Sequence, residues 1–297
     1  MKKFASRWLF LILISTSFGA FLLARFLEAN VELVVLFSTI MVLAIAIVLE
    51  RVLPFYIPWN RSRGDFKGDV VSSIVLFGVV APVVKYSAPI CVVAVYGMLP
   101  SSSMLELFPS HLNFLGQLII ALLLIEFGRY WVHRWHHRIG FLWWLHALHH
   151  SSERLYSINN FRFHPLNYVF NFLLSTFPLM LIGVPSEVLL GYLAISQPVI
   201  MLQHANIDFR SGWLNYVFNT NELHRWHHSV LPSEANNNYG GAFIIWDIVF
   251  GTYMYRKDEN LPKKIGLFSQ NGHYPNKAGY FSQVFSVCCF KGYKERL

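Results

Sequence analysis

The sequence predicts an all-α fold: a polytopic transmembrane helical bundle with a cytoplasmic histidine-rich cap holding a dimetal site. Three observations predict it. Apolar runs long enough to span a bilayer recur along the chain. The composition is 55% hydrophobic and only 13% charged, against roughly 25% charged in an ordinary soluble domain. Eleven of the thirteen histidines fall between His133 and His228, where the pattern H-x-x-H-H occurs three times, at 133–137, 146–150 and 224–228.

Basic residues Lys2, Lys3 and Arg7 precede an apolar run from Trp8 to about Phe26. It is read as a retained first span with a cytoplasmic N-terminus; a secretory signal is the alternative. Val31 to Val52 makes a second span, and the loop beyond it carries Arg61, Arg63 and Lys67, as a cytoplasmic return requires. Val70 to Leu99 contains Pro82, Lys85 and Pro89. One kinked crossing is preferred over a re-entrant pair, because Leu112–Val132 then returns the chain to the cytoplasm just before His133. Lys85 either snorkels or pairs inside the bundle. Phe141–His150 reads as a short helix after Gly140, with Trp143 and Trp144 in the interfacial belt. Leu166 to Leu202, split by Gly183 and Pro185, reads as a helical hairpin with His164 and His204 at its two mouths. Asn219 and Glu222 have capping-box spacing. The tail beyond Tyr255 reads as a loosely structured polar cap. The expected divisions are 1–111 (membrane spans), 112–255 (the histidine-bearing region) and 256–297 (the tail).

Composition narrows the function classes. The net charge of +8 suits anionic headgroups, and no nucleic-acid-binding motif is present. The three cysteines, Cys91, Cys288 and Cys289, make no C-x-x-C pair. A thiolate zinc site, an iron–sulfur cluster and a disulfide framework are therefore not expected. Cys288 and Cys289 read as small interfacial residues, with palmitoylation as the alternative.

Neutral imidazole is the commonest side-chain metal ligand, and residues three and four apart share a helix face. His133 and His137 then project together, as do His146, His149 and His150, and again His224, His227 and His228. An all-imidazole set suits zinc, copper, iron or nickel. Four ligands close a structural zinc site, so a larger set points to two metals. Two such ions can reduce dioxygen and attack an unactivated C–H bond, and the boxes sit where spans end, at the depth of a lipid.

These boxes resemble the sterol desaturase/fatty acid hydroxylase superfamily of membrane di-iron enzymes. The order H-x-x-x-H, H-x-x-H-H, hydrophobic hairpin, H-x-x-H-H is similar to that family's. So are Asn238-Tyr239-Gly240 and the run from Trp246 to Thr252. Arg162-Phe163-His164-Pro165 and His204-Ala205-Asn206 resemble elements of its bacterial members. The likeness covers about Leu112 to Tyr255, making 112–255 a catalytic domain. It implies two Fe ions held by the matched histidines, O2 as co-substrate and a lipid hydroxylated or desaturated. The implied ligands are His133, His137, His146, His149, His150, His224, His227 and His228, with His204 added. Ile200 stands where some hydroxylases of the family carry a further histidine, and His164 is expected either to supply that imidazole or to support the site. His136 is an extra, expected outside the ligand set, and His111 and His273 are expected to be structural.

Glu126, Glu153, Glu222 and Asp247 are candidates to orient the imidazoles, since metal-bound histidines usually donate their second N–H to a carboxylate or carbonyl. No dinucleotide fingerprint or cluster motif occurs. Electrons must then come from a separate protein, a ferredoxin or a b-type cytochrome with its reductase. Arg134, Arg138, Arg225, Lys257, Lys263 and Lys264 would form its basic docking face, although ordinary membrane-surface charge explains them equally. Two other classes stay open. A zinc-dependent hydrolase needs no electron donor, but no H-E-x-x-H occurs. A metal transporter would place ligands at mid-membrane.

Overall fold

The computed structural model describes residues 2–98, 107–256, 262, 264–268 and 273–290. Its described elements are helices joined by loops, with only isolated β-bridges between them. Helix α1 (Lys2–Phe26) turns tightly into α2 (Val31–Val52), whose N-cap Asn30 accepts from Leu33 N at 3.0 Å. Helix α3 (Phe66–Val75) continues through a π-helical turn at Leu76–Val80 into α4 (Ala81–Met98). Pro82 lacks the N–H an α-helix would use there, and the widened turn absorbs the defect. Phe66–Met98 is thus one continuous apolar rod of 33 residues, as a single crossing requires. Lys85 pairs with Glu32 at the start of α2, which offsets the cost of a lone charge on a lipid-facing helix.

Helix α5 (Phe114–Arg138) ends at extended Ile139, and α6 (Gly140–His150) follows directly. Among the described residues, four helical stretches are long and apolar enough to cross a membrane: Ser6–Phe26, Val31–Val52, Phe66–Met98 and Phe114–Arg138. The second apolar block forms the expected hairpin from α7 (Pro165–Ser175), α8 (Phe177–Leu181) and α9 (Ser186–Gln203). His164 is the N-cap of α7 and His204 the C-cap of α9, so both mouths open toward the cap. Gly128 lets α5 meet α7 backbone to backbone: a Cβ there would lie 2.3 Å from Leu174 O. Helix α9 packs against α1 and α2. The cap adds α10 (Asn221–His227), α11 (Pro232–Ala235), α12 (Ile245–Val249) and α13 (Tyr280–Phe285).

Several local expectations are corrected. Asn219 and Glu222 make no capping box: α10 starts after Thr220, Asn219 donates to Gly240 O (2.6 Å), and Glu222 accepts from Ser211 N (2.6 Å). Trp143 is not interfacial; it is buried, stacked on Phe268 at 4.4 Å. The described part of the tail is docked rather than loose. Ser151 Oγ donates to Gln283, Tyr280 OH to Phe163 O and Trp144 Nε1 to Ser286. Aromatic packing on α6 holds it there.

Buried ion pairs fasten the spans to the cap. Arg154 grips Asp65 with two hydrogen bonds, at 2.6 and 3.0 Å, and Trp59 O at 2.7 Å. Asp69 accepts from Arg162 Nε and Tyr156 OH, and Arg162 Nη1 donates to Ser151 Oγ at 2.9 Å. Glu50, near the end of α2, accepts from Ser157 N and Oγ at 2.9 and 2.8 Å. Breaking one partner of such a pair strands a buried charge. We expect Arg162→Met to lose about 3 kcal/mol, read as a lower unfolding midpoint of the detergent-solubilised protein. Adding Asp69→Leu should recover part of that loss.

Candidate metal centre

Helix α5 carries His133 and His137 on its last turns, and α6, which starts directly after the break at Ile139, presents the second box at its C-terminal end. The hairpin returns His204, and α10 brings the third box. These elements build two groups. In the first, His133, His137, His146, His150 and His227 each offer one ring nitrogen; in the second, His149, His204, His224 and His228 do. Within each group these nitrogens lie within 4.8 Å of one another. The groups abut, with the His150 and His228 rings stacked at 4.3 Å.

The second and third H-x-x-H-H boxes therefore each serve both groups, against the expectation that their three histidines project together. Successive helical residues point about 100° apart. The i,i+4 pairs His146–His150 and His224–His228 stay together, while His149 and His227 cross to the other group. This exchange ties α6 to α10.

His164 joins neither group. Its Nδ1 accepts from Leu166 N at 3.1 Å, capping α7, and its Nε2 lies 3.1 Å from Val284 O in the docked tail. With both nitrogens engaged, it clasps the tail. His136 is buried, its Nδ1 2.7 Å from Val132 O, and is likewise outside both groups. His111 and His273 are exposed.

The atoms that orient the rings are neutral oxygens rather than the expected carboxylates. His133 Nδ1 meets Tyr239 O (2.8 Å), His227 Nδ1 meets Asn237 O (2.9 Å), and His146 Nδ1 meets Asn167 Oδ1 (3.1 Å). His137 Nδ1 meets Asn236 Oδ1 (3.3 Å) and His204 Nδ1 meets Asn159 Oδ1 (2.8 Å). The asparagines sit outside the boxes on separate elements, so spacing gave no signal for them. The carboxylates act on the backbone instead. Asp247 accepts from Tyr239 N (2.8 Å) and Gly240 N (2.7 Å), fixing the carbonyl that holds His133. Asn238 adopts a left-handed φ of 57° just before them. Glu126 accepts from Ala242 N at 3.1 Å and from Tyr192 OH at 2.6 Å. Glu153 pairs with Arg63 at the surface. Arg225 is buried over the Phe55 ring and leaves the basic face, while Lys257 and Lys263 lie outside the described residues.

The donor set fits metal ions. His133 and His146 each donate Nδ1–H outward, so each Nε2 carries a lone pair. These two Nε2 atoms face each other at 3.0 Å. His204 Nε2 likewise lies 3.0 Å from His224 Nε2, and His150 Nε2 lies 3.2 Å from His227 Nε2. In the His133–His146 pair two lone pairs are opposed and repel unless a cation lies between them, and an extra proton there is disfavoured because burial holds the rings neutral; His204 and His227, with Nδ1 engaged, likewise turn a lone pair inward. Burial pushes His149 down to about 3 and His227 to about 4, and keeps His150, His204, His224 and His228 well below the ordinary value. Neither group includes a carboxylate.

Residues 118–252 match the fatty acid hydroxylase family. The ornithine lipid hydroxylase OlsE of Rhizobium tropici is 37% identical over 223 residues, 74% of this chain and 66% of that protein. The alkylglycerol monooxygenase of Caenorhabditis elegans is 29% identical over 179 residues, 59% of this chain and 34% of its own length. The human alkylglycerol monooxygenase is 32% identical over 167 residues, 56% of this chain and 36% of its own. The chain thus spans 66% of the first relative and about a third of the monooxygenases. No solved structure matches it.

Two outcomes follow from this geometry. His164→Ala should leave bound metal at the wild-type level, measured by elemental analysis, whereas His204→Ala should lower it. In metal-stripped protein, the unfolded chain takes up protons below about 6.5, while folded His149 and His227 stay neutral down to about 3 and 4. The unfolded state binds more protons across that window, so stability falls as pH drops through it. Unfolding midpoints measured from pH 7 to pH 4 should decline, and less steeply in His149→Leu.

Proposed function

The chain belongs to the fatty acid hydroxylase family, and from that premise we propose that it hydroxylates a membrane lipid, with dioxygen as co-substrate. The observation that carries the reading is the pair of buried imidazole groups with nitrogen lone pairs turned inward, where the membrane helices end. The groups hold His133, His137, His146, His150 and His227 on one side and His149, His204, His224 and His228 on the other. Two iron ions are the occupants this reading assigns, and iron bound there supplies the activation of dioxygen. Four and five neutral ligands exceed what a hydrolytic zinc uses, which favours the oxidative reading over the hydrolase.

The protein's own contribution is positioning and exclusion. The outward Nδ1 contacts of His133, His137, His146, His204 and His227 set those tautomers, so that their Nε2 lone pairs turn inward before any ligand arrives. Burial keeps the imidazoles unprotonated and ready to bind. The docked tail, held by His164, Ser151 and Trp144, packs against α6. The substrate proposed is a lipid of the ornithine-lipid or ether-lipid kind, from the names of the relatives. Its chain approaches from the bilayer between the spans.

Electrons come in this reading from a separate ferredoxin or b-type cytochrome and its reductase. They enter at a cytoplasmic face where Arg134, Arg138 and Lys264 remain. This reading makes the cap cytoplasmic, and what supports it is that Arg210 N donates to Ser6 O at 2.8 Å, so the cap shares a side with the start of α1, whose basic residues favour the cytoplasm.

Lipid extracts of a host lacking the gene should gain a species one oxygen heavier when wild type is restored under air. His227→Ala should insert normally and yield none. A product two hydrogens lighter would establish desaturation instead, and full activity in His227→Ala would overturn the ligand set.

A further inference from the structure

The two histidine groups are not supported alike. In the five-histidine group, four rings have their outward nitrogen fixed: His133 by Tyr239 O, His137 by Asn236, His146 by Asn167 and His227 by Asn237 O. In the four-histidine group His204 is fixed so, by Asn159 Oδ1. The Nδ1 atoms of His224 and His228 are buried without a hydrogen-bond partner among the described residues, while His149 has a backbone contact with Arg162. A ligand ring whose second nitrogen is held arrives in the right tautomer and orientation. One that is not must lose that freedom on binding.

Asn159 is itself fully committed. Its Oδ1 also accepts from Tyr156 N at 3.1 Å, and its Nδ2 donates to Ser152 Oγ at 2.9 Å and to Arg154 O. The amide therefore cannot rotate, and it always shows His204 an oxygen. The turn bearing Asn159, Ser157–Phe161, is fixed in turn by Glu50 of α2. Arg154, beside it, is fixed by Asp65. The grip on His204 thus originates in spans that lie outside the family-matched residues.

We infer that the two metal positions differ in affinity, the five-histidine position being tight and the four-histidine position weaker and dependent on Asn159 as its positioning residue. This rests on the two-metal reading above. The dependence is through one acceptor oxygen, which separates it from a general structural role of the turn. Asn159→Asp keeps an oxygen toward His204 and loses the Nδ2 donors that hold the loop. Asn159→Leu loses both.

The test uses the full chain in detergent, stripped and reloaded with Zn2+ as a redox-silent probe, with bound zinc measured against protein. Wild type should bind two equivalents and release them to a chelator in two phases. Asn159→Asp should retain both. Asn159→Leu should hold one firmly and bind the other roughly tenfold to a hundredfold more weakly. Unchanged binding in Asn159→Leu overturns the inference, as does equal loss in both variants or loss of both metals at once. Single-phase release from wild type overturns it too, without recourse to any variant. Wild type binding fewer than two equivalents would fail the two-metal reading itself.

Discussion

Nine imidazoles confined in two buried groups must all stay neutral, and that constraint organises the rest of the molecule. A protonated ring there would lose its hydration and meet like charges on every side. Neutral rings instead turn lone pairs toward one another, an arrangement that costs free energy until a cation enters. The fold holds this unfavourable core together from outside. The crossing of His149 and His227 between groups binds α6 to α10, so neither box can drift without disturbing both sites.

The division of labour among the polar residues follows from the same constraint. Carboxylates are kept off the rings and used as staples for backbone and guanidinium groups: Asp247 on the 239–240 loop, Asp65 and Asp69 on Arg154 and Arg162, Glu50 on Ser157. The rings are met by amide and carbonyl oxygens, which orient them without adding negative charge. The staples of Asp65, Asp69 and Glu50 join parts far apart in the chain, so the membrane spans are structural members of the site and not merely its anchor.

Much of this was legible early. Length and hydropathy marked the spans, and two turn residues, Gly183 and Pro185, marked a hairpin whose mouths carry His164 and His204. The boxes announced metal chemistry through residue type and spacing. What misled was identity read without direction. His164 reads as a ligand or a supporting residue because Ile200 stands where a further histidine could be, and its position as the α7 N-cap turns it to the tail. Arg225 looked like a surface charge because its box is polar, yet α10 lies inside the cap.

The sequence alone determined the helical class, the apolar stretches, the hairpin and the set of boxes, because hydrophobic length and i,i+4 spacing are properties of local chain, while the continuous helix of Phe66–Met98 is what resolves one crossing from a re-entrant pair. Only the tertiary structure decided which histidine serves which group, that His164 serves neither, and that Asn159, Asn167 and Asn236 face the rings. An asparagine carries no periodicity and no charge. Its role exists only where folding has brought its one oxygen to the one nitrogen that needs it.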